Sequence, residues 1–185
     1  MAKYDYPPFV LKSLIQCEED VAENYRYSLT IPFSRIPKNK VFVILKNPSV
    51  AATKDSDHTA NRVANYCFRK GFDQVTLMNL FAYRTPNADD LVELCKNKGG
   101  EQRIKGIRND EFIRQAAGEA SKIILAWGTA PKGFERIYIR RIKDVLRLLN
   151  PLPITYVDRV SEKGPYPLHG QVWGYEMEMK DWKLA

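Results

Sequence analysis

Apolar residues along this chain fall into short continuous runs, separated by stretches with helical spacing. Lys40–Leu45 (KVFVIL) is unbroken, the pattern of a strand covered on both faces. Val75–Leu80 (VTLMNL), Lys122–Trp127 (KIILAW) and Ile154–Val157 repeat it, and Tyr25–Ile31 (YRYSLTI) is an aromatic, β-branched strand. Ser56–Asp57 opens a helix that runs to Gly71, Thr85-Pro86-Asn87 opens another that ends near Lys98–Gly100, and Asn109–Glu119 forms a third. Over Phe134–Leu149, Tyr138, Ile142, Val145, Leu146 and Leu149 share one helix face, with Arg136, Arg140, Lys143 and Arg147 on the other. From Ser161 the chain is a Gly/Pro-rich loop, and Trp173–Trp182 fits neither period. Strands alternating with helices predict an α/β fold, a three-layer α/β/α sandwich around a mainly parallel sheet. With no internal repeat or linker, residues 1–185 read as a single domain with 1–24 as an N-terminal extension.

Composition narrows the class. At 185 residues, 44% hydrophobic and 28% charged, the chain is neither a disordered tail, a coiled coil nor a disulfide scaffold. No apolar run approaches the roughly 20 residues that span a bilayer, and the first residues lack a signal-peptide pattern, so a soluble, cytoplasmic protein with no membrane partner is expected. Cys17, Cys67 and Cys95, with two histidines in the whole chain, match no metal-ligand spacing, so no metal and no cofactor are expected. The net charge of +7 is uneven: residues 25–46 hold Arg26, Arg35, Lys38, Lys40 and Lys46 and no acid. That field favours a polyanionic partner, nucleic acid or a nucleotide.

Parallel sheets bind ligands in the crevice at the carboxyl ends of their strands. Four segments leave such ends: Lys46–Ser49 (KNPS), Asn79–Thr85 (NLFAYRT), Trp127–Thr129 (WGT) and Gly164–Gln171 (GPYPLHGQ). The carboxamides of Asn47 and Asn79 each offer an acceptor and two donors, enough to read a base edge or hold a water. The plainer alternatives stay open: Asn47-Pro48 as a turn, Asn79 as a strand-end cap and Asp57 as a helix N-cap.

Taken in order, these motifs resemble a bacterial and phage family of unknown function, the domain family numbered 1643. That family has a strand ending Leu-Asn-Pro-Ser, an Asp-x-Thr helix start, Asn-Leu-Phe-Ala-x-Arg, Ala-Trp-Gly and a late Gly-x-Pro-x-His. Here they are Lys46–Ser49, Asp57–Thr59, Asn79–Arg84, Ala126–Gly128 and Gly164–His169, with Lys46 in place of the commoner hydrophobic residue. More distantly the order is similar to the uracil-DNA glycosylase superfamily. Its mismatch-specific branch has Gly-x-Asn-Pro followed by His-Pro-Ala-Asn-Arg, which here reads HTANR at His58–Arg62, and its uracil-specific branch has Leu-Asn and Leu-x-Trp-Gly.

The resemblance implies a glycosylase-like fold and cleavage of an N-glycosidic bond in DNA, at a modified or damaged base flipped from the stack. It implies catalytic parts for Asn47 (holding the water), His169 (donating toward the charge on the departing base) and Asp57. It places Asn79, Ser49, Tyr83 and Trp127 along the base, and Lys46, Arg62 and Arg84 at phosphates, with Val172 or Trp173 as a wedge. The chain departs from the pattern twice: Val50–Asp57 contains no aromatic to stack on the base, and Gly170 rather than proline follows His169. Those departures keep two other readings open, an N-glycosidase of free nucleosides or nucleotides and a non-catalytic nucleotide- or nucleic-acid-binding module.

Overall fold

In a computed structural model, described for residues 4–183, one mixed sheet of seven strands runs through the molecule. The strands are β1 (Gln16–Asp20), β2 (Tyr25–Pro32), β3 (Lys40–Leu45), β4 (Gln74–Asn79), β5 (Lys122–Leu125), β6 (Ile154–Val157) and β7 (Met179–Asp181). The helices are α1 (His58–Arg69), α2 (Asp89–Cys95), α3 (Gly100–Lys105), α4 (Asn109–Glu119) and α5 (Glu135–Leu149). The strand order is β1-β2-β4-β3-β5-β6-β7. Pairing is parallel among β4, β3, β5 and β6, and antiparallel for β1 with β2, β2 with β4 and β6 with β7. The α/β class and the four core strands are as the apolar runs predict. The expectation of a mainly parallel sheet is corrected, because antiparallel strands extend the parallel block at both edges.

Strand alternation gives the sheet a core on each face. On one face Val41, Val43 and Leu45 of β3, Val75 and Leu77 of β4 and Ile124 of β5 pack with Ala60, Val63, Ala64 and Cys67 of α1. Tyr6, Val10 and Trp173 complete that face. On the other, Phe42, Ile44, Met78 and Leu125 pack with Ile113 of α4 and with Tyr138, Ile142, Val145 and Leu149 of α5. Tyr138 also donates its hydroxyl to the Trp127 and Gly128 carbonyls at 2.8 and 3.2 Å, fixing α5 to the chain leaving β5.

A bulge decides what β2 contributes. Glu18 lies opposite Ser28 but Glu19 lies opposite Arg26, so Tyr27 is an extra residue and the alternation inverts there. Leu29 and Ile31 therefore face α1, whereas Tyr25 and Tyr27 face the other way, with the Tyr27 ring stacked on Phe112 of α4 at 5.0 Å. Arg26 is swung onto the α1 face, and its Nη1 donates to the Ala51 carbonyl there.

Beyond β6, the segment Tyr166–Gly170 returns to the end of β5. Gly128 N–H donates to Pro167 O at 3.1 Å and Gly170 N–H to Ala126 O at 3.3 Å. The approach is too close for a side chain: a Cβ on Gly170 would lie 2.7 Å from Val63 Cγ2 and 3.1 Å from Leu45 Cδ2. Gly170→Ala is expected to lower the unfolding free energy by about 1–3 kcal/mol through overpacking. Urea denaturation checks this, and an unchanged midpoint would show that the segment is not held this tightly.

Candidate functional site at the carboxyl edge of the sheet

The connections from β3 and β5 leave in opposite directions, which puts the topological switch point of the sheet at their carboxyl ends. The exits of β3 and β4 are zipped together there. Leu80 N–H donates to Leu45 O, Phe81 N–H to Lys46 O and Thr85 N–H to Pro48 O, at 2.9–3.0 Å. Asn47 is half-buried, and its Nδ2 donates to Thr85 O at 2.8 Å and to Pro48 O at 3.3 Å. Both amide hydrogens thus hold the turn, and any part in orienting a water falls to Oδ1. Ser49 is half-buried in the same turn.

Asp57 opens α1 as its N-cap, with extended backbone and an oxygen accepting the Ala60 N–H at 2.8 Å. It is buried, and its charge reaches His169 on one side and Arg26 on the other. His169 Nδ1 accepts the Gln171 N–H at 3.2 Å, so the proton of the neutral ring sits on Nε2. Burial pushes the imidazole down to about 4, helped by the Lys46 ammonium and opposed by Asp57. The histidine is therefore a neutral donor at pH 7. It lines a cavity of about 300 Å³ together with Gly128, Thr129, Arg159, Ser161 and Tyr166. Lys46 is half-buried, 5.8 Å from the Tyr138 ring centroid, and burial lowers its own pKa against the pull of Asp89.

Asn79 is fully buried at the end of β4, paired with Leu45 and on the same face as Val75 and Leu77. Neither Oδ1 nor Nδ2 has a hydrogen-bond partner. Each buried polar group left in that state costs about 1–3 kcal/mol. The position is nonetheless rigid, because Asn109 Nδ2 donates to the Asn79 and Leu80 carbonyls (both 3.1 Å) and Arg141 Nε to Leu80 O (2.7 Å) from the opposite face.

Arg26 is the site residue that the motifs did not announce. Leu29 of β2 lies opposite Leu77 of β4, and the Arg26 N–H donates to Ala82 O, so Arg26 lies alongside the chain that leaves Asn79. It is 2% exposed, and burial lowers its pKa against the pull of Asp57. Nη1 bonds Ala51 O at 2.7 Å, while the buried Nε is unpartnered. Plain alternation along YRYSLTI places Arg26 opposite Leu29; the inversion at Tyr27 has no signature in the sequence.

The remaining sequence-predicted residues sit elsewhere. Arg84 pairs with Glu19 at 2.5 Å and reaches Ala51 O at 3.5 Å, tying β1 to the turn after β3. Arg62 lies over the Tyr175 ring at 5.1 Å. Tyr83 meets Tyr25 edge-on at 6.2 Å, under Arg103. Trp127 is fully buried in the α5-side core and donates its indole N–H to Pro165 O at 2.9 Å. Trp173 is likewise core, whereas Val172 is 57% exposed. Lys46 and Asp57 thus both act electrostatically on His169, and Asp57 on Arg26, while Arg62, Tyr83 and Trp127 serve packing. Among the described residues no group of three or more His, Cys, Asp and Glu side chains is placed to hold a metal ion, and no helix is long and apolar enough to cross a membrane.

A family model described as "Protein of unknown function (DUF1643)" matches residues 26–169, most of the chain. No curated protein and no solved structure gives a match.

The half-buried His169 makes a signed prediction. Its folded pKa of about 4 lies below the ordinary 6.5, so the unfolded chain takes up the proton first. Stability is therefore full above about pH 6.5 and declines toward pH 4, by roughly 3 kcal/mol in all. An NMR titration is expected to show one ring titrating near pH 4, absent in His169→Gln, whose stability should fall less steeply on acidification. Titration of the His169 ring itself, identified by its loss in His169→Gln, near 6.5 would contradict the neutral assignment.

Proposed function

The chain belongs to the DUF1643 family, and on that footing we propose that it is a DNA glycosylase-like enzyme of the cytoplasm, cleaving the N-glycosidic bond of a modified or damaged base. The observation that carries the reading is the Asn79 carboxamide, fully buried and unpartnered at the carboxyl end of β4. A fold keeps such a group at a cost, and a ligand edge repays it. The parallel strands run in the order β4-β3-β5-β6, the second, first, third and fourth along the chain. With a core on each face, this supports a three-layer α/β/α sandwich of the uracil-DNA glycosylase kind.

In the reaction the C–N bond breaks, the sugar gains oxocarbenium character and the base leaves with the electron pair. The Asn79 carboxamide holds the base edge. His169 Nε2–H donates to the oxygen or nitrogen on which negative charge collects, and a neutral imidazole held ready for that purpose needs no reorganisation. Asn47 Oδ1 orients the water that adds to the sugar carbon, and the departing base, which carries the electron pair, takes up the proton that this water loses, so the step calls on no carboxylate as base. Lys46 provides a cation for a phosphate, and Val172, which is exposed, fills the gap left by a flipped nucleotide.

One observation favours a second reading. The Asn47 amide hydrogens hold the turn, and Val50–Asp57 brings no aromatic ring, so the same edge also suits a module that binds a nucleotide or nucleic acid without cleaving it. The two separate in one experiment: oligonucleotides each carrying one modified base, incubated with protein and scored for abasic sites. At least one base should be released, and His169→Gln should slow release by about 10²–10³ while leaving affinity within a few-fold. Tight binding without release of any base by the wild type would replace the enzyme with the binding module.

A further inference from the structure

Between α5 and the β6–β7 edge of the sheet lies a cavity of about 710 Å³, within the size range of small-molecule sites. Its walls are apolar: Ile142 and Leu146 of α5, Val160, Pro165 and the rings of Tyr156 and Trp182. None of these residues lines the His169 cavity. Trp182 is placed by its own N–H, which donates to Ile154 O at 2.8 Å, and by the Trp127 ring at 6.4 Å. The Tyr156 ring stands at 87° to the Trp182 ring, with centroids 6.0 Å apart. Two rings at right angles form a corner in which a planar ligand stacks on one and meets the other edge-on. The mouth is positively charged. Lys143 and Lys183 line it, both exposed, and neither ammonium has an ion pair or hydrogen bond among the described residues. The one acid at the cavity is Asp181. Asp181 lies opposite Thr155 and Lys180 opposite Tyr156, so strand alternation turns the Asp181 side chain to the sheet face away from Tyr156.

We propose that this cavity binds a planar aromatic molecule carrying one acidic group, with its ring between Tyr156 and Trp182 and its acid at Lys143 and Lys183. The charge and the walls together select that class. A small inorganic anion gains nothing from the apolar walls, a neutral ring leaves both ammoniums unused, and a cation is repelled at the mouth. The acid stays at the solvent boundary, so it keeps part of its hydration while the ring is buried. The site is separate from Asn47, Asn79 and His169, and it stands whether or not the protein releases a base from DNA.

The test titrates the full chain with 8-anilinonaphthalene-1-sulfonate, an aromatic molecule with one sulfonate, and reads its fluorescence. N-phenyl-1-naphthylamine, the same rings without the sulfonate, is the neutral control. The sulfonate should saturate one site with a Kd on the order of 10–100 µM, as expected for a ligand of about twenty non-hydrogen atoms. Lys143→Glu combined with Lys183→Glu should weaken the sulfonate about tenfold and leave the neutral control within about twofold. Leu146→Trp, which fills the cavity, should weaken both by about tenfold or more. Far-UV circular dichroism checks that each variant is folded, and the exposed lysine pair decides alone where Leu146→Trp is not. Wild-type protein without a saturable site overturns the proposal. So does sulfonate binding unmoved by the lysine reversal, or unmoved by Leu146→Trp in a folded protein. Binding that appears only when Leu184 and Ala185 are removed gives the cavity to the chain's own end, and binding that appears only when a dimer dissociates gives it to a second copy; either overturns the proposal.

Discussion

Parallel pairing obliges β4, β3, β5 and β6 to end on one edge of the sheet, and every group assigned to the site depends on that constraint. Asn79 closes β4, Lys46 and Asn47 follow β3, and Gly128 follows β5 beside His169. These residues are far apart in sequence, and backbone hydrogen bonds bring them together. The bonds from Leu80 and Phe81 to Leu45 and Lys46 carry the ladder past the formal strand ends, so the first polar side chains leave the sheet already fixed. The antiparallel strand β2 adds its amino-terminal end to the same edge and delivers Arg26.

The two faces treat buried polarity differently. On the α5 side, Arg141 is paired with Asp110 at 2.7 Å and bonded to Leu80 O, and Asp110 also meets Lys105. That network fixes the exit of β4. On the α1 side, Arg26 has Asp57 only as a nearby charge, and the Asn79 amide is unpartnered. Removing a buried charge from water is costly unless it is well paired, so the α1 side gives up more stability than the α5 side, where Asn109 Oδ1 and Arg141 Nη2 are unpartnered but the arginine keeps its ion pair. Such asymmetry is expected where a surface is shaped for a ligand rather than for the fold.

How much of this the sequence revealed follows from which physical signals are local. The four parallel strands were legible because a strand buried on both faces must be apolar throughout, as KVFVIL is. Asp57 was legible as a cap because capping chemistry lies within three residues. β1 was not: its sequence QCEED is an exposed edge with no alternating apolar side, and the pairing that defines it is with β2. The three-residue β7 is defined in the same way by β6. The helix expected from Asn87 to Lys98 is shorter and is followed by α3, set between the left-handed glycines Gly99 and Gly106. At the site, the motifs located the edge but not the use of each side chain. Trp127 and Arg84 are adjacent to strand ends, yet one fills the core and the other bonds Glu19, because burial and pairing are tertiary facts. Arg26 required a bulge that only the strand register reveals.

The claim on which the account turns is that the Asn79 carboxamide is held for a ligand and not for the fold. The unfolding free energy of Asn79→Leu in urea tests it most directly. Leucine keeps the side chain's shape and removes both unpartnered atoms, so the account predicts a protein as stable as wild type, or more stable by about 1–2 kcal/mol. A loss of about 2 kcal/mol or more would mean that the amide is bonded within the folded chain, and would contradict the account.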